Sequence, residues 1–296
     1  MNDYDSFWVK KPNDASVKQT CRSWLPIFFL GLVVWRIGTS LAAEGVYRWK
    51  DANGGVHYAD QPVAGADRVV LAPVPQPAYR VKRVYDGDTL QLENGDKVRL
   101  LGINTPEIES LRKSGEPGGE EARLWLQRRL SGQTVKLEED TELRDHYGRR
   151  LAHLYTDSGE HINLSLVREG LAFVDIHPPN VKHAAVLVDA ERQAEKKRAG
   201  LWQRPEYGVR EMSAIREPFA RSWQRLMGRV ERMENTRAYR SLIFAGGFEA
   251  RIPRANLGLF PDLSIYIGKH LEVRGWVYRY HDHYATQLRH PTALKP

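Results

Sequence analysis

The sequence of 296 residues contains a single cysteine, Cys21, which excludes a disulfide framework and a cysteine zinc site. It also has no apolar run of membrane-spanning length. The longest, Trp24–Trp35, has twelve residues, whereas a spanning helix needs about 20. Basic residues exceed acidic ones, which gives a formal net charge of +7 and a pI of about 9.4. This balance favours a polyanionic partner, and the length allows two or three domains.

The N-terminal residues 1–43 have the pattern of a signal peptide. Four Lys/Arg precede the short apolar run, and small residues follow it up to Ala42 and Ala43. The pattern predicts an exported protein, periplasmic or secreted, with no stable membrane partner once the signal is cleaved. Cleavage after Ala43 would leave a cysteine-free chain with a net charge of +5, which suits an oxidising compartment. The alternative is an uncleaved membrane anchor.

Residues 44–73 predict a small β-hairpin whose two runs flank a turn at Asp51–Gly54. The stretch has the pattern Y-x-W-x-D-x-x-G-x-x-H-Y-x-D and resembles a short module of unknown function in Gram-negative envelope proteins. The resemblance implies a location more than a chemistry. His57 and Asp60 fit either a metal or catalytic pair or a structural hydrogen bond, and we favour the latter. Three prolines between Leu71 and Tyr79 indicate a semi-rigid linker, with residues 74–79 joining the module to the next domain.

The centre of the chain is a predicted hairpin that begins at Val84 and turns at Asn94-Gly95-Asp96. This hairpin and its exit loop bring oxygen-bearing and basic side chains to one end of a sheet. Hard cations such as calcium prefer several oxygen ligands, and a neighbouring phosphate prefers an arginine fork. The pattern therefore predicts phosphodiester chemistry at these residues: Asp86, Asp88, Arg99, Asn104, Thr105 and Glu107.

A second arginine, Arg149, closes the turn Asp145–Arg149, in which Gly148 provides the tight bend. Two guanidinium groups and a divalent cation can stabilise the negative charge that develops during phosphodiester hydrolysis. Glu107 is the nearest carboxylate without a metal role and is available to activate a water molecule. Periodicity predicts helices and strands around these residues: helices 120–130, 163–169 and 181–199, and strands 134–138 and 150–155.

Five motifs in this region resemble the staphylococcal nuclease family in order and spacing. They are D-G-D-T from Asp86, R-L-L-G-I-N-T-P-E from Arg99, D-H-Y-G-R from Asp145, N-L-S-L-V-R-E-G-L-A from Asn163 and G-L-W from Gly200. The resemblance covers residues 80–204. It implies an α+β domain, a five-stranded OB-type β-barrel with three helices. It also implies hydrolysis of DNA and/or RNA that leaves a 3′-phosphate.

The resemblance also implies a role for each matching residue. Asp88, Asn104 and Thr105 would bind Ca²⁺, and Asp86 would lie close to the metal. Glu107 would be the general base, and Arg99 and Arg149 would grip the scissile phosphate. The sequence gives no prediction of the oligomeric state.

Two departures from the family pattern accompany this resemblance. The type member has an aspartate where this chain has Asn104, which predicts weaker metal binding. It also has nucleotide-stacking tyrosines where this chain has residues 173–178, F-V-D-I-H-P. One alternative is therefore a catalytically weakened barrel that binds nucleic acid in the envelope. An alternative from another class is an envelope structural protein whose basic charge is incidental.

The C-terminal part predicts a connecting helix over 205–227, followed by a small OB-like β module over 228–296. Phe219, Trp223 and Leu226 have helical spacing, and the G-R-V, V-R-G-W and His290-Pro291 pieces weakly resemble OB modules of nuclease-like proteins. Alternation over 270–280 predicts two faces, one apolar and one that carries arginine and aromatic side chains. The second face would either stack single-stranded bases or pack on the nuclease-like domain. Its members are Glu272, Arg274, Trp276, Tyr278 and Tyr280.

Overall fold

The computed structural model describes residues 46–59, 61, 63–69, 77–109, 114–215 and 222–295. The chain divides into two units, one up to Pro73 and one from Val74 onwards. The predicted signal peptide, residues 1–43, lies outside the described residues. Within the described ranges, no helix combines the length and apolarity that crossing a membrane requires.

The first unit is a small antiparallel sheet with β1 in its centre. Its strands are β1 (Val46–Lys50), β2 (Val56–Ala59) and β3 (Asp67–Val69). The predicted hairpin is present, and β3 adds a strand that the sequence did not indicate. His57 pairs through Nε2 with Asp51 Oδ2 at 2.8 Å and stacks on Trp49 with ring centroids 5.3 Å apart. The pair holds the turn together and therefore has a structural role; Asp60 lies outside the described residues.

The second unit begins with a closed barrel, and we call residues 77–207 the barrel body. Its elements are β4 (Ala78–Val84), β5 (Thr89–Leu92), β6 (Lys97–Leu100), β7 (Ile103–Asn104), α1 (Gly119–Leu130), β8 (Thr134–Arg144), β9 (Arg150–Thr156), α2 (Ile162–Arg168), β10 (Phe173–Val174) and α3 (Ala184–Lys197). Strand β4 pairs with β5 and β8, β5 with β6, and β9 with β8 and, in parallel, with β6. This pairing closes the barrel.

The barrel forms because apolar residues alternate along its strands and recur on one face of each helix. Gly95 takes a φ of 94° in the turn between β5 and β6, where the sequence predicted the hairpin. The strands bury Leu90, Leu92, Val98 and Leu100 in one core. The three predicted helices and the strands of this region are confirmed, with slightly different bounds.

The remainder of the chain, residues 209–295, forms what we call the C-terminal module. Its strands are β11 (Val209–Glu211), β12 (Trp223–Asn235), β13 (Tyr239–Phe244), β14 (Glu249–Pro253), β15 (His270–Tyr280), β16 (His283–Gln287) and β17 (Leu294–Lys295). Strand β12 pairs with β13 and β15, β13 with β14, β14 in parallel with β16, and β16 with β15. The order of pairing repeats that of the barrel body. The predicted mixture of helices and strands is thus confirmed.

The connecting helix predicted over 205–227 is wrong where the structure describes it, since Pro205–Tyr207 and Met212–Ala214 are short 3₁₀ turns and Val209–Glu211 is a strand. Residues 216–221 lie outside the described residues, and Trp223 to Met227 belong to β12. The ladder with β15 runs from Trp223, opposite Trp276, to Arg229. A ladder of this length outweighs the helical spacing of three apolar residues, because neighbouring strands determine which backbone hydrogen bonds form.

Two further predictions need correction. The linker predicted over 74–79 extends too far, since Ala78 and Tyr79 pair with β8 as part of β4. The face of β15 that carries Glu272 and Arg274 is not an exposed platform over its whole length. Both of these side chains are buried against the barrel body, so the packing alternative holds for this part of the strand.

Candidate functional site

The D-G-D turn places Asp88 at the start of β5, beneath the exit loop of the β5–β6 hairpin. Gly87 is required there, because a Cβ would lie 2.6 Å from Ala122 Cβ and 2.7 Å from Thr105 Cγ2. The buried Asp88 carboxylate accepts hydrogen bonds from the Thr105 amide at 2.9 Å and from the Thr105 hydroxyl at 3.1 Å. It also forms an ion pair with Arg99. The turn, the hairpin and the loop therefore form one rigid unit.

Arg99 connects the two side chains that were predicted to bind a metal. Its guanidinium contacts Asp88 and donates to Asn104 Oδ1 at 2.9 Å, while Asn104 Nδ2 donates to the Thr105 carbonyl at 3.3 Å. A carboxylate and an amide oxygen thus contact one guanidinium, and a backbone carbonyl accepts a hydrogen bond from the same amide group. This donor set fits a hard cation. Among the described residues, no group of three or more His, Cys, Asp or Glu side chains is placed to hold a metal.

Asp86 lies next to this arrangement, and its Oδ1 accepts a hydrogen bond from the Asp88 amide at 3.0 Å. Burial, together with the charge of Asp88, raises the pKa of Asp86 to about 7. Two carboxylates this close favour a positive group between or beside them.

Arg149 stands at the end of a tight turn, in which Gly148 has a φ of 79°. Its Nε donates to Asp145 Oδ2 at 2.7 Å, and its guanidinium lies 5.4 Å from the centroid of the Tyr147 ring. Burial opposes the shift, but the hydrogen bonds from Arg149 hold the pKa of the Asp145 carboxyl below its usual range. The turn therefore fixes a guanidinium whose remaining donors can bind an anion.

The two arginines and Asn104 line one cavity of about 360 Å³, which we call the arginine cavity. Asp175 and His177 line it as well and form an ion pair at 3.0 Å. Burial alone would raise the pKa of the Asp175 carboxyl, but the charges of His177, Arg289 and Arg99 lower it to about 2. The cavity therefore combines two guanidinium groups with an ionised carboxylate and an imidazole.

Glu107 lies elsewhere. It is exposed and lines a different cavity of about 530 Å³, together with Glu109, Glu116 and Glu120. Its backbone is held by Glu116, whose amide donates to the Glu107 carbonyl at 2.8 Å and whose carboxylate accepts from the Glu107 amide at 3.0 Å. The structure thus brings Arg99, Arg149 and Asn104 together and leaves Glu107 outside their cavity. Its role as a base remains a prediction.

The sequence interpretation assigned no function to Asp145, Asp175 or His177. For Asp145, the spacing of Asp145 and Arg149 around a glycine could have indicated a role. Phe173 stands where the family places tyrosines, but it is buried and stacks on Trp223 with ring centroids 3.6 Å apart and 9° between planes. It therefore serves packing and is not available to a nucleotide.

Known proteins and family models are similar to the barrel body and to the N-terminal part of the chain. The family model described as staphylococcal nuclease homologue matches residues 97–204, and a domain of unknown function (DUF4124) matches residues 37–82. The thermonuclease of Staphylococcus intermedius is 38% identical over 130 residues, which are 43% of this chain and 77% of that protein. The thermonuclease of Staphylococcus hyicus is 36% identical, over 42% of this chain and 75% of its own length. Endonuclease YncB of Bacillus subtilis is 34% identical, over 42% of this chain and 61% of its own length.

Proposed function

The chain belongs to the staphylococcal nuclease family, and we propose on that premise that it is an exported, calcium-dependent nuclease. It hydrolyses phosphodiester bonds of DNA, RNA or both. The observation that carries the proposal is the arginine cavity, in which Arg99, Arg149 and Asn104 meet. Two guanidinium groups at one cavity suit a phosphodiester, because each can donate two parallel hydrogen bonds to phosphate oxygens.

Arg99 and Arg149 hold the scissile phosphate from two sides in this proposal. The charge on the phosphate oxygens grows as a water molecule attacks, so donors already held in place stabilise the transition state more than the ground state. Asp145 fixes the Arg149 side chain through its Nε and leaves the other donors for the substrate. Arg99, which Asp88 and Asn104 hold in place, donates to the phosphate from the other side.

Asp88, Asn104 and the Thr105 carbonyl hold the calcium ion in this proposal. When bound, the ion draws negative charge from a phosphate oxygen. Asn104 supplies an oxygen without a negative charge, so Asn104→Asp should lower the calcium concentration for half-maximal activity by about tenfold.

Glu107 takes the proton of the attacking water. Glu107 is exposed and lines a cavity other than the arginine cavity, so this role requires Glu107 to approach the substrate on binding. A second candidate function follows from this position: a barrel that binds nucleic acid and does not cut it. It predicts tight binding without cleavage.

The test is cleavage of labelled single-stranded and duplex DNA and RNA by the chain from Glu44 onwards. We expect EDTA to abolish cleavage and calcium to restore it better than magnesium does. Glu107→Gln should reduce kcat by about 10²-fold or more, a typical contribution of a general base. Glu109→Gln is the matched control, because Glu109 lines the same cavity. Binding without cleavage at any calcium concentration would replace the nuclease proposal by the second candidate.

Export is a separate part of the proposal and is supported by the N-terminal pattern of residues 1–43. Expression of the full chain in a Gram-negative host should give a soluble periplasmic product that begins at Ala43 or Glu44 by N-terminal sequencing. A membrane-bound product with an intact N-terminus would favour the anchor instead.

A further inference from the structure

A second cavity opens where the barrel body meets the C-terminal module, and we call it the junction cavity. Its volume is about 290 Å³, near the lower end of the range of about 300–1,000 Å³ for ligand pockets. Asn104 and Asp175 line both this cavity and the arginine cavity. The two cavities are therefore neighbours that share a wall formed by Asn104 and Asp175.

The C-terminal module supplies aromatic and basic groups to the junction cavity. Trp276 and Tyr278, two residues apart on β15, line it on the same side of the strand, and Arg289 lines it from the segment after β16. All three side chains are partly exposed. Aromatic side chains beside an arginine are the usual means of binding single-stranded nucleic acid, because bases stack on the rings and phosphates pair with the guanidinium.

The barrel body supplies a carboxylate to the same wall. Asp175 is partly exposed and pairs with His177 at 3.0 Å. The charge and hydrogen bond of His177, followed by the charges of Arg289 and Arg99, lower the pKa of its carboxyl. An ionised carboxylate accepts hydrogen bonds from the N–H groups of a base edge and repels a phosphate. Asp175 therefore favours a base at the shared wall and leaves Arg289 as the group that binds a phosphate.

The packing of Phe173 explains why aromatic side chains of the C-terminal module, and not of the barrel body, would stack on a base. Phe173 pairs in the β7–β10 ladder with Asn104 of the shared wall, and its ring is covered by Trp223 of β12. Strand β12 pairs with β15, so the contact that buries Phe173 also places Trp276 and Tyr278 at the cavity.

We propose that the junction cavity is an extended substrate subsite, in which the C-terminal module binds the nucleotide next to the scissile phosphate of a single strand. The base lies against Trp276 and Tyr278, and its phosphate pairs with Arg289. The occupant is the substrate strand itself, because the cavity shares Asn104 and Asp175 with the arginine cavity. This inference rests on the proposed function and adds a subsite to it.

The test compares single-stranded oligonucleotides of two and six nucleotides with the full chain. The parent should show a higher kcat/KM for the longer substrate, mainly through KM. Trp276→Leu should reduce the long-to-short ratio by about tenfold because it removes base stacking. Arg289→Ala should reduce it by about tenfold because it removes the partner of the phosphate. Arg289→Lys should have a long-to-short ratio between that of the parent and that of Arg289→Ala. Arg279→Ala is the matched control, because Arg279 is an exposed residue of β15 outside the cavity lining.

Equilibrium binding of the six-nucleotide strand in EDTA, followed by fluorescence anisotropy, separates the subsite from the nuclease activity. A parent that binds but does not cut, with binding weakened in Arg289→Ala, would refute the proposed function and support the subsite. If the parent cuts, and if Arg289→Ala and Trp276→Leu both have the long-to-short ratio of the parent, the nuclease proposal is supported and the subsite is overturned. Tighter binding of a free mononucleotide than of the strand would also overturn it. Urea unfolding of each variant identifies loss of activity through loss of fold.

Discussion

Arg99 and Arg149 both line the arginine cavity, but the surroundings of their side chains differ. Arg99 is 17% exposed and bridges the buried Asp88 and Asn104. Arg149 is 27% exposed and lies on a surface turn beside Asp145. Arg99 therefore neutralises a buried carboxylate, whereas the Arg149 side chain contacts Asp145 and Tyr147 of its own turn.

The difference predicts that Arg99→Ala lowers both activity and stability, and that Arg149→Ala lowers activity alone. Loss of either guanidinium should reduce kcat by about 10²–10³-fold. Arg99→Ala should also lower the free energy of unfolding by about 3–5 kcal/mol, because Asp88 loses its buried partner. Arg149→Ala should lower it by about 1 kcal/mol or less. The measurements are steady-state cleavage and urea unfolding.

Arg192→Ala serves as the control, because Arg192 is a surface residue of α3 that is 76% exposed. It should retain full activity and stability. Equal losses of stability in Arg99→Ala and Arg149→Ala would contradict the assignment of different surroundings.

At the scale of elements, three histidines join β9, α2 and α3 of the barrel body. His153 Nδ1 and His161 Nε2 lie 3.1 Å apart, and His183 pairs with Glu138 at 2.8 Å. Burial, followed by the charges of the neighbouring histidines, lowers the pKa of His153 to about 4 and that of His161 to about 3. The elements are thus packed around imidazoles that resist protonation.

This cluster predicts that stability falls as the pH is lowered from about 6.5 to 4. The folded-state pKa values lie below the unfolded value of about 6.5, so the unfolded chain binds more protons in this range. Stability from the cluster is fully present above pH 6.5 and should fall by about 1.4 kcal/mol per pH unit for each proton taken up. Urea unfolding at pH 7, 6, 5 and 4 measures the slope.

His161→Phe keeps the stacking on Tyr155, whose ring lies 4.7 Å from that of His161, and should reduce this slope. His270→Asn, at an exposed position of β15, should leave the slope as in the parent. A parent whose stability is constant from pH 7 to pH 5 would exclude the predicted linkage.

The elements around the site also mark the limit of prediction from sequence. The Asn94–Gly95 turn and the apolar spacing of α1 are local signals, and both elements formed where they were predicted. Trp223 and Leu226 have helical spacing but form a strand, because β15 supplies a hydrogen-bond ladder that no local pattern reveals. The position of Glu107 depends on Glu116, nine residues further along the chain, through a loop contact that no periodic pattern predicts.

At the scale of the whole molecule, buried charges join the barrel body to the C-terminal module. Arg274 of β15 is 5% exposed and pairs with Glu191 of α3 at 3.3 Å and with Glu195 at 2.9 Å. Arg225 of β12 pairs with Glu195 and, at 2.8 Å, with Glu272. With the stacked Phe173 and Trp223, these contacts make the two parts interdependent.

We therefore predict that the barrel body and the module unfold in one transition. Arg274→Leu should lower the free energy of unfolding by about 3–5 kcal/mol, because it leaves buried carboxylates without their main partner. Calorimetry of the parent should give a single peak, and urea unfolding measures the loss.

Arg232→Ala removes an exposed pair with Glu234 and should cost less than about 1 kcal/mol. Two separate transitions in the parent would show that the buried charges do not couple the parts.

The sequence by itself determined the turns, the helices of the barrel body and the residues that carry the family's chemistry, because these depend on local spacing and side-chain type. Only the tertiary structure decided which of those residues share a cavity. It gathered Arg99, Arg149 and Asn104 at one cavity, placed Glu107 in the lining of a different cavity, and placed the junction cavity beside Asp175. The physical reason is that contacts between β12, β15 and α3 join residues 30 to 83 positions apart, and burial of their charges has no signature in a local pattern.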